Sequence, residues 1–273
     1  MKTQALSERE SRNTAAVLQA EKGGLKRLAL LDTIRGLTLI SMILYHASWD
    51  AVYLFDLSWP WFHSDGVYLW QQSICWTFIL LSGFCWPLGR RSARRGLVVF
   101  AAGAIISLIT VLFVPENRIV FGVLTLLGSC MLLMLPAENL LRRVPAAAGL
   151  TASALPFILL RGVNEGYLGI GGWSLQLPER LYQGPLATYL GFMDPSFYST
   201  DYFSLLPWSF LFAAGYFLCR LIEPAQKKIR AFEREISLVS SVGKRSLPVY
   251  LLHQPVIYLL LFSIDASLLS CVV

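Results

Sequence analysis

Four ionisable side chains lie in one apolar stretch, LALLDTIRGLTLISMILYHASWD at residues 28–50: Asp32, Arg35, His46 and Asp50. Read as a helix, Asp32 and Arg35 are one turn apart and can pair on one face. Arg35 and His46 are eleven residues apart, about three turns, which places them on a common face ~16 Å from each other. Asp50 follows His46 by four residues and is within reach of an imidazole nitrogen. A carboxylate on one nitrogen fixes the tautomer and raises the basicity of the other, which is how a general base is built. Two further histidines stand in suggestive places, His63 in SWPWFHSDG and His253 in SLPVYLLHQPV. Plainer roles remain open for all of them: a headgroup-facing ion pair for Asp32 and Arg35, an interhelical hydrogen bond for His46 or His253, and a solvated loop residue for His63.

The elements that must position these residues follow from composition. Apolar residues make up 55% of the chain and charged ones 15%, and the mean hydropathy is +0.56, which leaves too little charge to clothe a soluble surface. Disorder, collagen-like sequence and a disulfide-rich scaffold are excluded on the same ground. A helix needs ~20 mostly apolar residues to cross a bilayer. Seven stretches qualify: 29–49, 68–88, 96–114, 119–136, 146–162, 203–222 and 246–268. An eighth, 182–193, is apolar but short and reads as an interfacial or re-entrant helix. The expected fold is therefore an all-α, polytopic bundle of about seven transmembrane helices, with a cytoplasmic tail at 1–27 and a membrane domain at 28–273. Charge at the centre of such a helix costs ~2.5–3.5 kcal/mol, so Asp32, Arg35 and His46 default to functional roles.

Orientation follows from the basic residues. Nineteen of the 23 Lys and Arg fall on the side shared by the N-terminal tail, Arg90–Arg95, Arg142–Arg143 and the 220–245 segment. Only Arg118, Arg161 and Arg180 fall on the other side, so the N-terminus is expected to be cytoplasmic, in a multi-pass cell-membrane protein. The same distribution explains the net charge of +6 without nucleic acid, since no soluble basic module is present. The five cysteines have no metal-ligand spacing, and HExxH, Gly-rich phosphate loops and Asp-rich cation motifs are absent. LLSGF and LLGSC do not supply the G-x-S-G of an intramembrane serine protease. No metal is expected, and no internal repeat supports a repeat-built transporter.

LDTIRGLTLISMILYH, with its R-x10-H spacing from Arg35 to His46, resembles the opening helix of the transmembrane acyltransferases of the acyltransferase-3 group. YHASWD at 45–50, FILLSG at 78–83, FGVLTLLG at 121–128, DYFSLLPW at 201–208 and GKRSLPVYLLHQP at 243–255 are more closely similar to the heparan-α-glucosaminide N-acetyltransferase catalytic-domain family and its small bacterial members. The resemblance runs from about Leu28 to Leu261. It implies an integral membrane acetyltransferase that moves acetyl from acetyl-CoA to a hydroxyl or amine, of a glycan or amino sugar, on the far side of the membrane. It carries the catalytic histidine onto His46, with His63 as the nearest match to the histidine that precedes the next helix. His253 and Gln254 fall in the last motif and Asp201 and Trp208 in DYFSLLPW, as substrate or donor contacts. At Thr125 small relatives often have histidine, and the lumenal domain and extra helices of the lysosomal enzyme are expected to have no counterpart.

The expected reaction thus uses His46, oriented by Asp50 and assisted by His63, with Asp32 and Arg35 ordering the side where the CoA phosphates arrive. Partners are the bilayer, acyl-CoA and a small polar or glycan acceptor, with a homo-oligomer left open. Two other readings stand beside it: a transporter or its binding subunit, with His46 and Asp201 holding cargo, and an assembly protein whose polar residues only join helices.

Overall fold

The computed structural model describes residues 29–89, 92–226 and 236–272. The expected tail at 1–27 lies outside the described residues, as do Arg90, Arg91 and the basic residues from Lys227 to Arg234. Nine α-helices occur among the described residues: α1 (29–53), α2 (Asp65–Phe84), α3 (Ser92–Phe113), α4 (Val123–Leu141), α5 (Ala146–Leu159), α6 (Gly184–Leu190), α7 (Leu205–Gln226), α8 (Ser237–Lys244) and α9 (Ser246–Val272). The protein is an all-α membrane protein apart from one short hairpin of β1 (Tyr167–Ile170) and β2 (Trp173–Gln176).

Among the described residues, five helical segments are long and apolar enough to cross a membrane: Ala93–Phe113, Val123–Leu141, Ala146–Glu165, Leu205–Ile222 and Ser246–Ile264. Two of the seven expected spans fall short of that hydropathy. Helix α1 carries Asp32, Arg35 and His46, and α2 carries Gln71, Gln72 and Ser73. The expected span at 119–136 is shifted to 123–141, because residues 119–122 are tied into a loop instead. Ile119 N–H donates to Thr110 Oγ1, Val120 N–H to Ser199 Oγ, and Phe121, at a φ of 58°, accepts from Phe203 N–H. The apolar 182–193 segment yields only the seven-residue α6, too short to cross.

The chain forms two compact units, one of Met1–Cys75 with Ala225–Val273 and one of Trp76–Pro224. In the first, α8 lies directly on the opening of α1. A Cβ on Gly36 would overlap the Val239 carbonyl, and one on Gly243 would overlap the Asp32 carbonyl. Ile236 N–H also donates to Thr33 Oγ1. In the second unit the same device joins α2 to α7, with Gly83 against the Phe212 carbonyl and Gly215 against that of Leu80. Helices in lipid gain little from the hydrophobic effect and associate through such close small-residue contacts.

Helix α4 sits deepest in the second unit, and residues flanking or within α7 close both of its ends. Asp201 accepts the N–H of Val123 at the N-terminus, where Gly122 offers no side chain. Arg220 donates to the carbonyls of Leu141, Arg142 and Val144 at the C-terminus. An acid at the first turn and a cation at the last also complement the helix dipole.

Candidate active site

In the first unit, the polar residues of α1 meet those of α9. The rings of His46 and His253 lie 4.9 Å apart, and Gln254 Nε2 donates to both oxygens of Asp50 at 2.7 and 2.9 Å. Asp50 is fully buried. The pairing follows from spacing: His46 and Asp50 are one turn apart on α1, and α9 answers with the adjacent His253 and Gln254. His253 Nδ1 bonds the Tyr250 carbonyl, which can only accept, so Nδ1 carries the proton. That leaves Nε2 of the neutral ring as a bare acceptor, and it is buried without a hydrogen-bond partner among the described residues. An unsatisfied buried polar atom costs ~1–3 kcal/mol, which favours a site that a ligand group completes.

The expected bond from Asp50 to His46 is not made among the described residues, because Gln254 occupies both carboxylate oxygens. His46 is instead placed by rings, with Tyr45 edge-on at 5.7 Å and His253 on another side. Tyr45 in turn packs on Trp70, whose indole N–H donates to Ser41 and fastens α2 to α1. His63 ends a short 3-10 turn, Pro60–His63, and is exposed, with Nδ1 3.4 Å from the Tyr53 hydroxyl. No ring contact or hydrogen bond joins His63 to His46 among the described residues. Three turns back along α1, Arg35 Nη1 donates to Asp32 Oδ1 at 2.7 Å, a partly exposed pair beside the α8 contact.

Asp201 and Trp208 belong to the second unit, where each has a structural task. Burial pushes the Asp201 carboxyl up to about 6, against the opposing pull of the Val123 N–H. Trp208 is buried and packs on Phe157 and Phe203, and its ring lies 5.1 Å from the Arg161 guanidinium. Trp76 and Phe157 complete three rings around that cation, at 5.4 and 5.6 Å. The charge asymmetry identifies Arg161 only as one of three arginines on the far side, and its setting between Phe157 and two distant Trp residues is invisible to spacing. Thr125 is buried, and its hydroxyl has no hydrogen-bond partner among the described residues. Its carbonyl accepts from Ser129 Oγ, which the Tyr189 hydroxyl bonds. Among the described residues no group of three His, Cys, Asp or Glu side chains could hold a metal ion.

Comparison with known families matches residues 27–255 to the family described as heparan-alpha-glucosaminide N-acetyltransferase, catalytic. No curated protein and no solved structure matches the chain. The matched segment opens before α1 and ends on Pro255 of α9, so it takes in His46, Asp50, His253 and Gln254 together. With apolar helices that can cross a bilayer and a match of this extent, the chain is a membrane acetyltransferase and belongs to the heparan-α-glucosaminide N-acetyltransferase catalytic-domain family.

Proposed function

We propose that the protein takes acetyl from acetyl-CoA and transfers it to a hydroxyl or amine of a glycan or amino sugar across the cell membrane, with His46 as general base. The observation that carries this reading is the His46–His253 pair on α1 and α9, with an unpartnered acceptor at His253 Nε2. The acceptor O–H or N–H binds at this pair. His46 takes its proton as the oxygen or nitrogen attacks the thioester carbonyl. The tetrahedral intermediate then collapses, the C–S bond breaks, and the CoA thiolate leaves with the proton held by the imidazolium. His253 orients the acceptor through Nε2, and Gln254 keeps the Asp50 charge beside the pair, where it favours the imidazolium. Asp32 and Arg35 serve the donor side, since the phosphates of CoA need a cation and a guanidinium fork suits them. In this reading His63 assists at the mouth, while Asp201 and Trp208 order the loop and Arg161 of their own unit.

The test is transfer of labelled acetyl from acetyl-CoA to glucosamine by the purified protein in nanodiscs, with free CoA thiol measured in parallel. His46→Ala is expected to lower transfer ~10²–10⁴-fold while the protein stays monodisperse, with Asp50→Asn giving a smaller defect. A His46→Ala protein transferring near the wild-type rate moves the base to His63. A wild-type protein that binds the amino sugar but never releases thiol supports the transporter reading instead.

A further inference from the structure

The hairpin of β1 and β2 has two unlike faces. Its register pairs Leu168 with Leu175 and Ile170 with Trp173, and side chains two apart on a strand share a face. One face is therefore Leu168, Ile170, Trp173 and Leu175, and the other is Tyr167, Gly169, Ser174 and Gln176. Among the described residues nothing covers most of the apolar face: Ile170, Trp173 and Leu175 are 54%, 63% and 55% exposed, with Leu168 partly covered. An isolated two-stranded hairpin is marginal in water and gains stability when its apolar face is packed.

Its base is fastened at the end of a membrane-crossing segment. The candidate span Ala146–Glu165 ends two residues before Tyr167. Tyr167 N–H donates to the Gly162 carbonyl at 3.1 Å, and the Tyr182 hydroxyl to that of Val163 at 2.6 Å. With strands of four residues at ~3.3 Å each, no part of the hairpin can stand far from the bilayer surface. Charge points the same way: residues 166–178 contain no Asp, Glu, Lys or Arg, whereas Glu165, Glu179 and Arg180 bracket them.

The geometry points to the lipid interface as the partner of this hairpin: it lies in the headgroup–acyl boundary beside the end of α5, with Leu168, Ile170, Trp173 and Leu175 toward the acyl chains and Ser174 and Gln176 toward water. A Trp at that depth sits where an amphipathic ring is most stable, and an element with one apolar and one polar face lies in the interface plane. Anchored in this way, the hairpin holds the loop from Gly166 to Tyr202 close to the membrane.

The experiment uses the full chain with its native cysteines replaced by alanine, reconstituted in nanodiscs of phosphatidylcholine and phosphatidylglycerol. Single NBD labels are placed on Ile170→Cys, Leu175→Cys, Ser174→Cys and Gln176→Cys. At 170 and 175 emission is expected to shift to the blue, to be quenched by lipids bearing a shallow acyl nitroxide, and to resist aqueous dithionite. Labels at 174 and 176 are expected to be reduced several-fold faster. Equal reduction at all four positions overturns the proposal, and so does protection at 170 and 175 without nitroxide quenching, which assigns the face to protein. Trp173→Phe in the otherwise native chain gives the same readout without labels, because the Trp emission that it removes should be the part quenched by brominated lipid. Neither measurement depends on transferase activity.

Discussion

Asp50 and Asp201 are both acids set away from water, and each is satisfied by a different kind of donor. Asp50 receives a side-chain amide from 204 residues along the chain. Asp201 receives a backbone N–H at the first turn of α4. One neutral donor does not replace the lost hydration of a carboxylate, which is why burial lifts Asp201 to about 6 from its ordinary 3.8. A carboxyl whose folded-state value is raised contributes its full stability below about 3.8 and loses it as pH rises through about 6. Asp201→Asn keeps an oxygen for Val123 and removes the charge. The variant is expected to unfold with the wild type near pH 4 and to be more stable by up to about 3 kcal/mol near pH 8. Detergent-solubilised unfolding curves at the two pH values check this, and a loss of stability confined to pH 8 would show that the charge itself is needed at the α4 N-terminus.

At the scale of elements, α8 is a short helix whose place depends on the absence of two side chains. Gly36 and Gly243 bring the backbones of α1 and α8 together at the turn that carries Asp32 and Arg35. In Gly243→Ala the new methyl meets the Asp32 carbonyl, a backbone atom that can yield only if the helices separate. The expected cost is about 1–3 kcal/mol, read as a lower unfolding temperature in detergent. Because the displaced turn is the one proposed for the donor, a weaker acetyl-CoA affinity should accompany it; Ser241→Ala, on exposed α8 surface, should leave both unchanged. The RG at 35–36 and the G of GKRSLPVYLLHQP were legible as motif positions, but not as contact points, since a helical period shows which residues share a face and not which helix faces them. The same limit hid the meeting of α1 with α9. Asp32, Arg35, His46 and Asp50 stood out because charge is costly in an apolar run, whereas Gln254 as the partner of Asp50 is a long-range fact. The hairpin was missed for another reason. YLGIGGWSLQ carries alternating apolar positions around a Gly-Gly turn, with Gly171 at a φ of 60°, a signal that a search for twenty-residue apolar runs passes over.

At the scale of the whole molecule, the direction of the spans decides on which side each chemical step occurs. Helix α4 rises ~28 Å over its 19 residues, so it sets Arg118, before it, and Arg142 and Arg143, after it, at opposite ends of the second unit. Helix α5 runs back and places Arg161 at the Arg118 end, where Glu116, Glu165 and Glu179 also lie in the sequence. Arg220 bonds the last carbonyls of α4 and so belongs with Arg142. One end of this unit thus gathers arginines and the other mixes two arginines with acids, the asymmetry that orients helices during insertion. On that rule we propose that Arg142, Arg143 and the N-terminus face the cytoplasm and that the 50–67, 115–118 and 163–202 segments face outside. His63→Cys, at an exposed position, should then react with a membrane-impermeant maleimide added to intact cells, whereas Arg143→Cys should react only after the membrane is opened. Labelling of position 63 from the cytoplasmic side alone would reverse the topology. It would place the outer end of α1, with His46 and Asp50, on the side where acetyl-CoA is made, so that donor and acceptor would no longer need to arrive from opposite faces.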